Sequence, residues 1–328
     1  LPIDLPWVAR RVMEHIHPTL IIVMETELWP GLFAAARQRR VPVMIVNGRI
    51  SPRSLANYVR VRWFMRRFLS SVALFVMQSS MDAERIEKIG VSRDRIRVSG
   101  NIKYDQALIR PRPEAMLEMQ KILGQPGPDP ILLAASTHPG EEEIVLDVFR
   151  RLKTRYASLR LILVPRHPER TEQVALMIQN YGCNLQTLSQ SHGQWPDRVL
   201  LVDQVGWLTR LYGWARLVFV GGSLVSHGGQ NMLEPAGWGV PVVFGPHTFN
   251  FKDISRQLLA AGGALVVANA DDLHAAFGRL LDDEDLWLRM GQAGRAVVEE
   301  NAGALGRTRH EISMILKELG HEPTAPVS

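Results

Sequence analysis

Residues 217–246 read LVFVGGSLVSHGGQNMLEPAGWGVPVVFGP, and their reading decides the fold. Residues 217–220 form an apolar run long enough for a buried strand. Four glycines follow at 221, 222, 228 and 229. Residues 230–238 then predict a short helix, and 240–244 a second apolar strand. Strand, glycine loop, helix, strand is the layout of a phosphate-binding βαβ unit. Glycine permits positive φ and close approach to a ligand, and the unbonded N–H groups of a helix start attract an anion. Pro235 fits if the helix begins near Asn231, since first-turn N–H groups have no intrahelical partner to lose. The competing reading is a glycine-rich turn that only lets a strand and helix pack.

The length of 328 residues suits two domains. Apolar content of 46% and charged content of 22% are those of a globular chain. A single cysteine, Cys183, excludes an intrachain disulfide. No apolar run is long enough to span a bilayer. The net charge of +5 conceals an asymmetry: residues 28–81 carry nine arginines and no Asp, Glu or Lys. Such a block calls for an anionic partner or for counter-ions, and arginine favours bidentate contacts with phosphate.

Working outward, short apolar runs alternate with helical patterns. Strands are expected at 20–24, 41–46, 72–77, 96–98, 131–135, 159–164, 199–202, 217–220, 240–244 and 264–267. A proline-bearing stretch at 111–130 reads as a linker between two α/β series. The first series ends near residue 110, the second covers 131–319, and 320–328 is a tail. Sheets of this class place functional groups at the C-terminal ends of strands. That rule selects Glu25 and Glu27 after the first strand, although acidic residues also complement a helix N-terminus, which suits Glu27 better. It also selects Arg166 and His167. Residues 51–69 predict one amphipathic, arginine-rich helix facing a membrane, a phosphorylated ligand, or solvent alone. Glu141, Glu142 and Glu143 read as dipole-complementing residues in a helix first turn. His138 at that junction suits a ligand or a structural role equally. No CxxC, HExxH, GxSxG, P-loop lysine or GxGxxG pattern is present.

METELWPGL at 24–32, NGRIS at 47–51, GNIKYD at 100–105, STHPGEEE at 136–143, PRHPER at 165–170 and the glycine-rich run at 221–251 occur in one order. Together they closely resemble the Kdo (3-deoxy-D-manno-octulosonic acid) transferases of Gram-negative lipid A biosynthesis. The resemblance implies a GT-B fold, two Rossmann-like domains facing across a cleft. It implies an inverting glycosyltransferase without metal or other cofactor. The donor is CMP-Kdo, held by the C-terminal domain, and the acceptor is the lipid A precursor, held by the N-terminal one. The implied location is the cytoplasmic face of the inner membrane.

Carried onto this chain, the donor pocket comprises Arg166, His167, Gly206, Trp207, Leu208, Gly222, Ser223, Asn231, Met232, Leu233 and Glu234. Glu25 and Lys103 match positions that support the transition state. Arg49, Arg53 and Arg60 are expected to meet acceptor phosphates and the anionic membrane surface. Trp207 stands where the family has a glutamate. The resemblance also implies that the family's general-base glutamate and a membrane helix precede residue 1, so a slow enzyme is expected. Two alternatives remain open: a UDP-sugar epimerase of the same fold, and a remnant that binds nucleotide or membrane without turnover. The arginine block favours a membrane-bound acceptor over a soluble sugar nucleotide alone, and no nucleic-acid module is recognised.

Overall fold

The computed structural model describes residues 4–125, 127–191 and 199–321. It divides into two compact units, Leu1–Asp105 with Asn301–Ser328, and Gln106–Glu300. Each is built on a parallel sheet.

The first unit has four strands, β1 (Ile21–Met24), β2 (Val43–Gly48), β3 (Val72–Met77) and β4 (Ile96–Val98), in the order β1-β2-β3-β4. Strand period 2 splits the β2 side chains between two faces. Val43 and Ile45 join Phe33, Leu69 and Phe75 in one core. Met44 and Val46 join Leu74 and Val76 in another, which Ile312 and Ile315 cover. The C-terminal helix Ala304–Glu318 therefore belongs to this unit, where the sequence reading assigned residues to 319 to the second domain. Helical periodicity shows that a face is buried but not which sheet buries it. Arg307 Nε donates to Ser99 O, and Gly303 N to Asp105 Oδ1, fixing the helix in place.

The helix expected over 51–69 breaks at Val61 into Pro52–Arg60 and Arg62–Leu69. The break re-phases the apolar stripe. The first piece buries no residue fully, while Met65 and Leu69 of the second are buried. Phe68 stacks on Phe33 with ring centroids 5.0 Å apart.

Among the described residues the second unit has seven strands: β5 (Ile131–Thr137), β6 (Arg160–Pro165), β7 (Leu185–Thr187), β8 (Val199–Leu201), β9 (Leu217–Val220), β10 (Val242–Phe244) and β11 (Ala264–Val266). Their order is β11-β10-β9-β5-β6-β8-β7. The chain first builds outward from β5 on one side, then crosses to β9 on the other. The ends of β5 and β9 thus form a topological switch point, where such sheets open a ligand crevice. The inner strands are near-continuous apolar runs because helices cover both faces. Strand β7 escaped the sequence reading, being three residues at the sheet edge. The supposed linker carries a helix, Pro113–Leu123, with Met119 and Leu123 buried in the second unit. The expected tail lies outside the described residues from position 322 onward. No helix among the described residues is long and apolar enough to cross a membrane.

The packing of the C-terminal helix is testable. Ile315→Asp puts a charge against Met44 and Val46 and should cost about 2–4 kcal/mol. Met314→Asp, at a position 45% exposed, should stay within about 0.5 kcal/mol. Calorimetric melting checks this, and equal melting of the two variants would contradict the packing.

Candidate functional site

In the second unit the switch point is held by a carboxylate. Glu141 opens the helix Glu141–Lys153 and is wholly buried. Its Oε2 accepts from His138 N (2.9 Å) and Gly222 N (2.7 Å). Its Oε1 accepts from Ser223 N and Leu224 N, both at 2.9 Å. A surface carboxylate at a helix N-terminus contributes about 0.3–1 kcal/mol, whereas each hydrogen bond to a charged group contributes about 1.5–3 kcal/mol. Glu141 is therefore the clamp between the ends of β5 and β9, rather than the dipole complement expected from sequence. Gly221 must be glycine, because a Cβ there would lie 2.4 Å from Ser136 O.

The clamp changes the reading of the glycine loop. The Gly222 and Ser223 amides are occupied by Glu141 instead of facing a phosphate. The Ser223 hydroxyl donates to Val220 O and accepts from Gly245 N, so this placed donor residue serves the loop's own geometry. Glu142 is also buried and pairs with Arg170 at 2.8 Å. That pair ties down the segment after β6 that carries Arg166 and His167, both of which are exposed.

Three imidazoles gather at this edge. His138 stacks on His227 with ring centroids 4.3 Å apart and meets His167 edge-on at 5.7 Å. Gln230 Nε2 lies 3.0 Å from His138 Nε2. Burial, then the cationic forms of His227 and His167, then Arg166 and Arg170, push His138 down to about 4. His138 is thus neutral at physiological pH, and Arg166 is the fixed cation beside it. Sequence spacing gave no sign that residues 138 and 227 meet, because the switch point alone brings them together.

The expected helix at 230–238 contracts to Leu233–Gly237, with Pro235 in its first turn. Asn231 Oδ1 accepts from Leu233 N, and its Nδ2 donates to Glu234 Oε1 at 2.9 Å. Burial raises the Glu234 carboxyl, opposed by the Asn231 bond. Burial, reinforced by Glu234, raises the Tyr212 phenol well above its usual value. Met232 and Leu233, named for the donor pocket, have fully buried side chains and belong to the core. Trp207 also turns inward: its Nε1 donates to Gln204 Oε1, and Arg210 lies 4.8 Å above its ring. Gly206 stays exposed in the left-handed region, and Leu208 is half-buried.

In the first unit, Glu25 ends β1 in the left-handed region at φ 57°. Its carboxylate lies 3.7 Å from Lys103 Nζ. Glu25, Thr26, Glu27, Arg49, Ser51, Ser54 and Tyr58 line a hollow of about 360 Å3. Thr26 Oγ1 bonds both the carbonyl and the amide of Arg49. Glu27 accepts from Trp29 Nε1. The N–H groups of Gly31 and Leu32 donate to Asp4, so Asp4, not Glu27, complements that helix start. Arg53 and Arg60 are exposed on the broken helix, near exposed Trp63 (77%) and Phe64. Among the described residues, Arg39 alone of the nine arginines has a carboxylate partner, Glu14. Also among the described residues, no cluster of three His, Cys, Asp or Glu side chains could hold a metal ion.

The two units and the switch-point crevice define the GT-B type of α/β fold. A crystal structure of a UDP-N-acetylglucosamine 2-epimerase matches 98% of this chain and 78% of its own (TM-score 0.60, 14% identity), a likeness of fold alone. The 3-deoxy-D-manno-octulosonic-acid transferase (kdotransferase) family model matches residues 1–106. A 3-deoxy-D-manno-octulosonic acid transferase of Haemophilus influenzae is 39% identical over 312 residues, 94% of this chain and 72% of that protein. The chain belongs to the Kdo transferase family. The C-terminal CMP-Kdo binding domain of WaaA from Acinetobacter baumannii is 30% identical and covers 60% of this chain and 97% of its own, with a TM-score of 0.51.

Two outcomes test the clamp. Glu141→Gln turns an NH2 group onto two N–H donors and should destabilise by roughly 2–5 kcal/mol, lowering Tm by roughly 5–15 °C; a change below 1 °C would remove Glu141 from this role. For His138, the unfolded side chain titrates near 6.5 and the folded one at about 4. Between those values the unfolded state holds more protons, so stability falls as pH falls. His138→Gln should flatten Tm against pH across that window, and an unchanged slope would contradict the neutral imidazole.

Proposed function

We propose that this Kdo transferase moves Kdo from CMP-Kdo to a hydroxyl of the lipid A precursor, with inversion, at the cytoplasmic face of the inner membrane. The observation that carries the donor half is the topological switch point at the ends of β5 and β9. Arg166 and His167 are exposed after the neighbouring strand β6, with His167 edge-on to His138 at 5.7 Å, and Asn231 holds Glu234 after β9. Arg166 offers a bidentate cation to the phosphate. Glu234 offers acceptor oxygens to the ribose hydroxyls, and Asn231 orients it. The similarity to a domain that binds CMP-Kdo supports the same assignment.

In the reaction, the acceptor oxygen bonds to the anomeric carbon of Kdo as the bond from that carbon to the phosphate oxygen breaks. CMP leaves with the bonding electrons, and the hydroxyl proton passes to a basic side chain or to water. Charge builds on the leaving phosphate, and a preorganised cation there lowers the barrier. Lys103 is that cation, and Glu25, 3.7 Å away, orients it. Arg49, Arg53 and Arg60 receive the acceptor's phosphates and the anionic lipid surface, with Trp63 and Phe64 as the apolar part of that contact.

Transfer of labelled Kdo to lipid A precursor in mixed micelles tests this reading. Lys103→Ala should lower kcat by about 10²–10³-fold, with CMP affinity unchanged because the donor contacts lie in the second unit. A parent-like rate in Lys103→Ala would overturn the assignment, and affinity for UDP equal to that for CMP would overturn the donor.

A further inference from the structure

Asn47 is buried and sits in the left-handed region at φ 53°, inside strand β2. A side chain is rarely accommodated there, although Asn and Asp tolerate it best. The cause is a β-bulge. Ile45 pairs with Phe75 and Gly48 with Met77, so three steps along β2 match two along β3. Bulges re-aim side chains and recur beside active sites. Here the bulge turns Asn47 Oδ1 onto the amide of Ile102, 3.1 Å away and 55 residues later.

That bond fixes the first residue of the helix Ile102–Leu108, and the second residue is Lys103. Lys103 N in turn donates to Asn101 Oδ1 at 3.0 Å. On the other side of the bulge, Val46 O accepts from Glu25 N at 2.8 Å. The Val46 carbonyl and the Asn47 side chain, adjacent at the bulge, therefore anchor the two backbones that carry the Glu25–Lys103 pair. Gln78 Nε2 donates to Asn47 O at 2.9 Å and holds the bulge itself.

We propose that Asn47 is a positioning residue, whose bulged, left-handed backbone and side-chain carbonyl set the separation of Glu25 and Lys103. Its catalytic consequence rests on the reading of that pair as the charge support for transfer. Its geometric content does not. Three substitutions divide the two properties of Asn47. Asn47→Gly keeps the backbone and loses the acceptor, Asn47→Ala loses both, and Asn47→Asp keeps both. Ile102→Pro removes the same bond from the donor side, at a first helical position that proline tolerates.

The test has one arm independent of turnover. Both side chains of the pair are partly exposed. A carbodiimide, which joins a carboxylate and an amine in contact without a spacer, should therefore link Glu25 to Lys103, read by peptide mass spectrometry. The link should be strong in the parent and Asn47→Asp and lost in Asn47→Gly and Ile102→Pro, with each protein's melting curve confirming a folded first unit. The second arm is kinetic. Asn47→Gly should lower kcat by about 10–100-fold with little change in KM. It should cost nothing further in a Lys103→Ala background, because it acts through that lysine. A parent-like link in both Asn47→Gly and Ile102→Pro would overturn the proposal. So would a full additive loss in the Lys103→Ala background. A parent-like rate in Lys103→Ala alone would instead sink the catalytic reading of the pair, leaving the cross-link to decide the role of Asn47.

Discussion

One buried carboxylate, Glu141, receives four backbone N–H groups from two segments more than 80 residues apart in sequence. The second unit depends on this constraint. Loops at the ends of parallel strands carry backbone donors that the sheet cannot satisfy, and a buried orphan donor costs about 1–3 kcal/mol. A negative charge at a helix start is the cheapest single acceptor for several of them, because the helix dipole already favours it there. The carboxylate thereby fixes the spacing between the ends of β5 and β9 at the switch point. The glycine loop is a product of the same constraint. Gly221 lies against the Ser136 carbonyl because the clamp draws the two strand ends together.

The first unit solves the corresponding problem with a neutral amide and a bulge. Asn47, in place of a carboxylate, bridges β2 to the start of the helix bearing Lys103. Nearby, Asp82 accepts from Ile50 N and holds the turn that presents Arg49 and Ser51. Of the five non-glycine residues in the left-handed region among the described residues, His17 and Arg40 follow helices, while Glu25, Asn47 and Ser136 lie at strand C-terminal ends. Left-handed backbone at such residues costs about 1–3 kcal/mol each and persists where surrounding bonds enforce it. At Glu25 and Asn47 that strain falls where the proposed reaction needs fixed groups.

Much of this fold could be read from the chain because parallel strands buried on both faces leave an unmistakable apolar run. Strands Val72–Met77, Ile96–Val98 and Leu217–Val220 fall where those runs predict. Arg166 and His167 follow directly on β6, the strand C-terminal position that the sequence rule selects. What the sequence could not reveal was direction. STHPGEEE reads as an acidic helix start, and nothing local says that Glu141 and Glu142 turn inward while Glu143 does not close a clamp. Trp207, Met232 and Leu233 sit in a motif but spend their side chains on the core. The stacking of His138 on His227, and the burial of Met44 and Val46 beneath Ile312 and Ile315, are set by topology, which spacing along the chain does not encode.

A second hollow, of about 830 Å3, lies at the opposite, N-terminal ends of β5 and β9, beside Arg155, Arg216 and Trp287. Its arginines are already committed, Arg155 to Asp282 and Arg216 to Glu284. The two ends of one sheet thus differ in chemistry, with Arg166 left without a carboxylate partner among the described residues at the C-terminal ends. Amide hydrogen exchange with and without CMP separates the two. Protection should appear at residues 166–167 and 231–234, with no change at 222–224, whose amides already bond to Glu141. New protection centred on 155–158 and 213–216 would place the nucleotide at the wrong end and contradict the assignment.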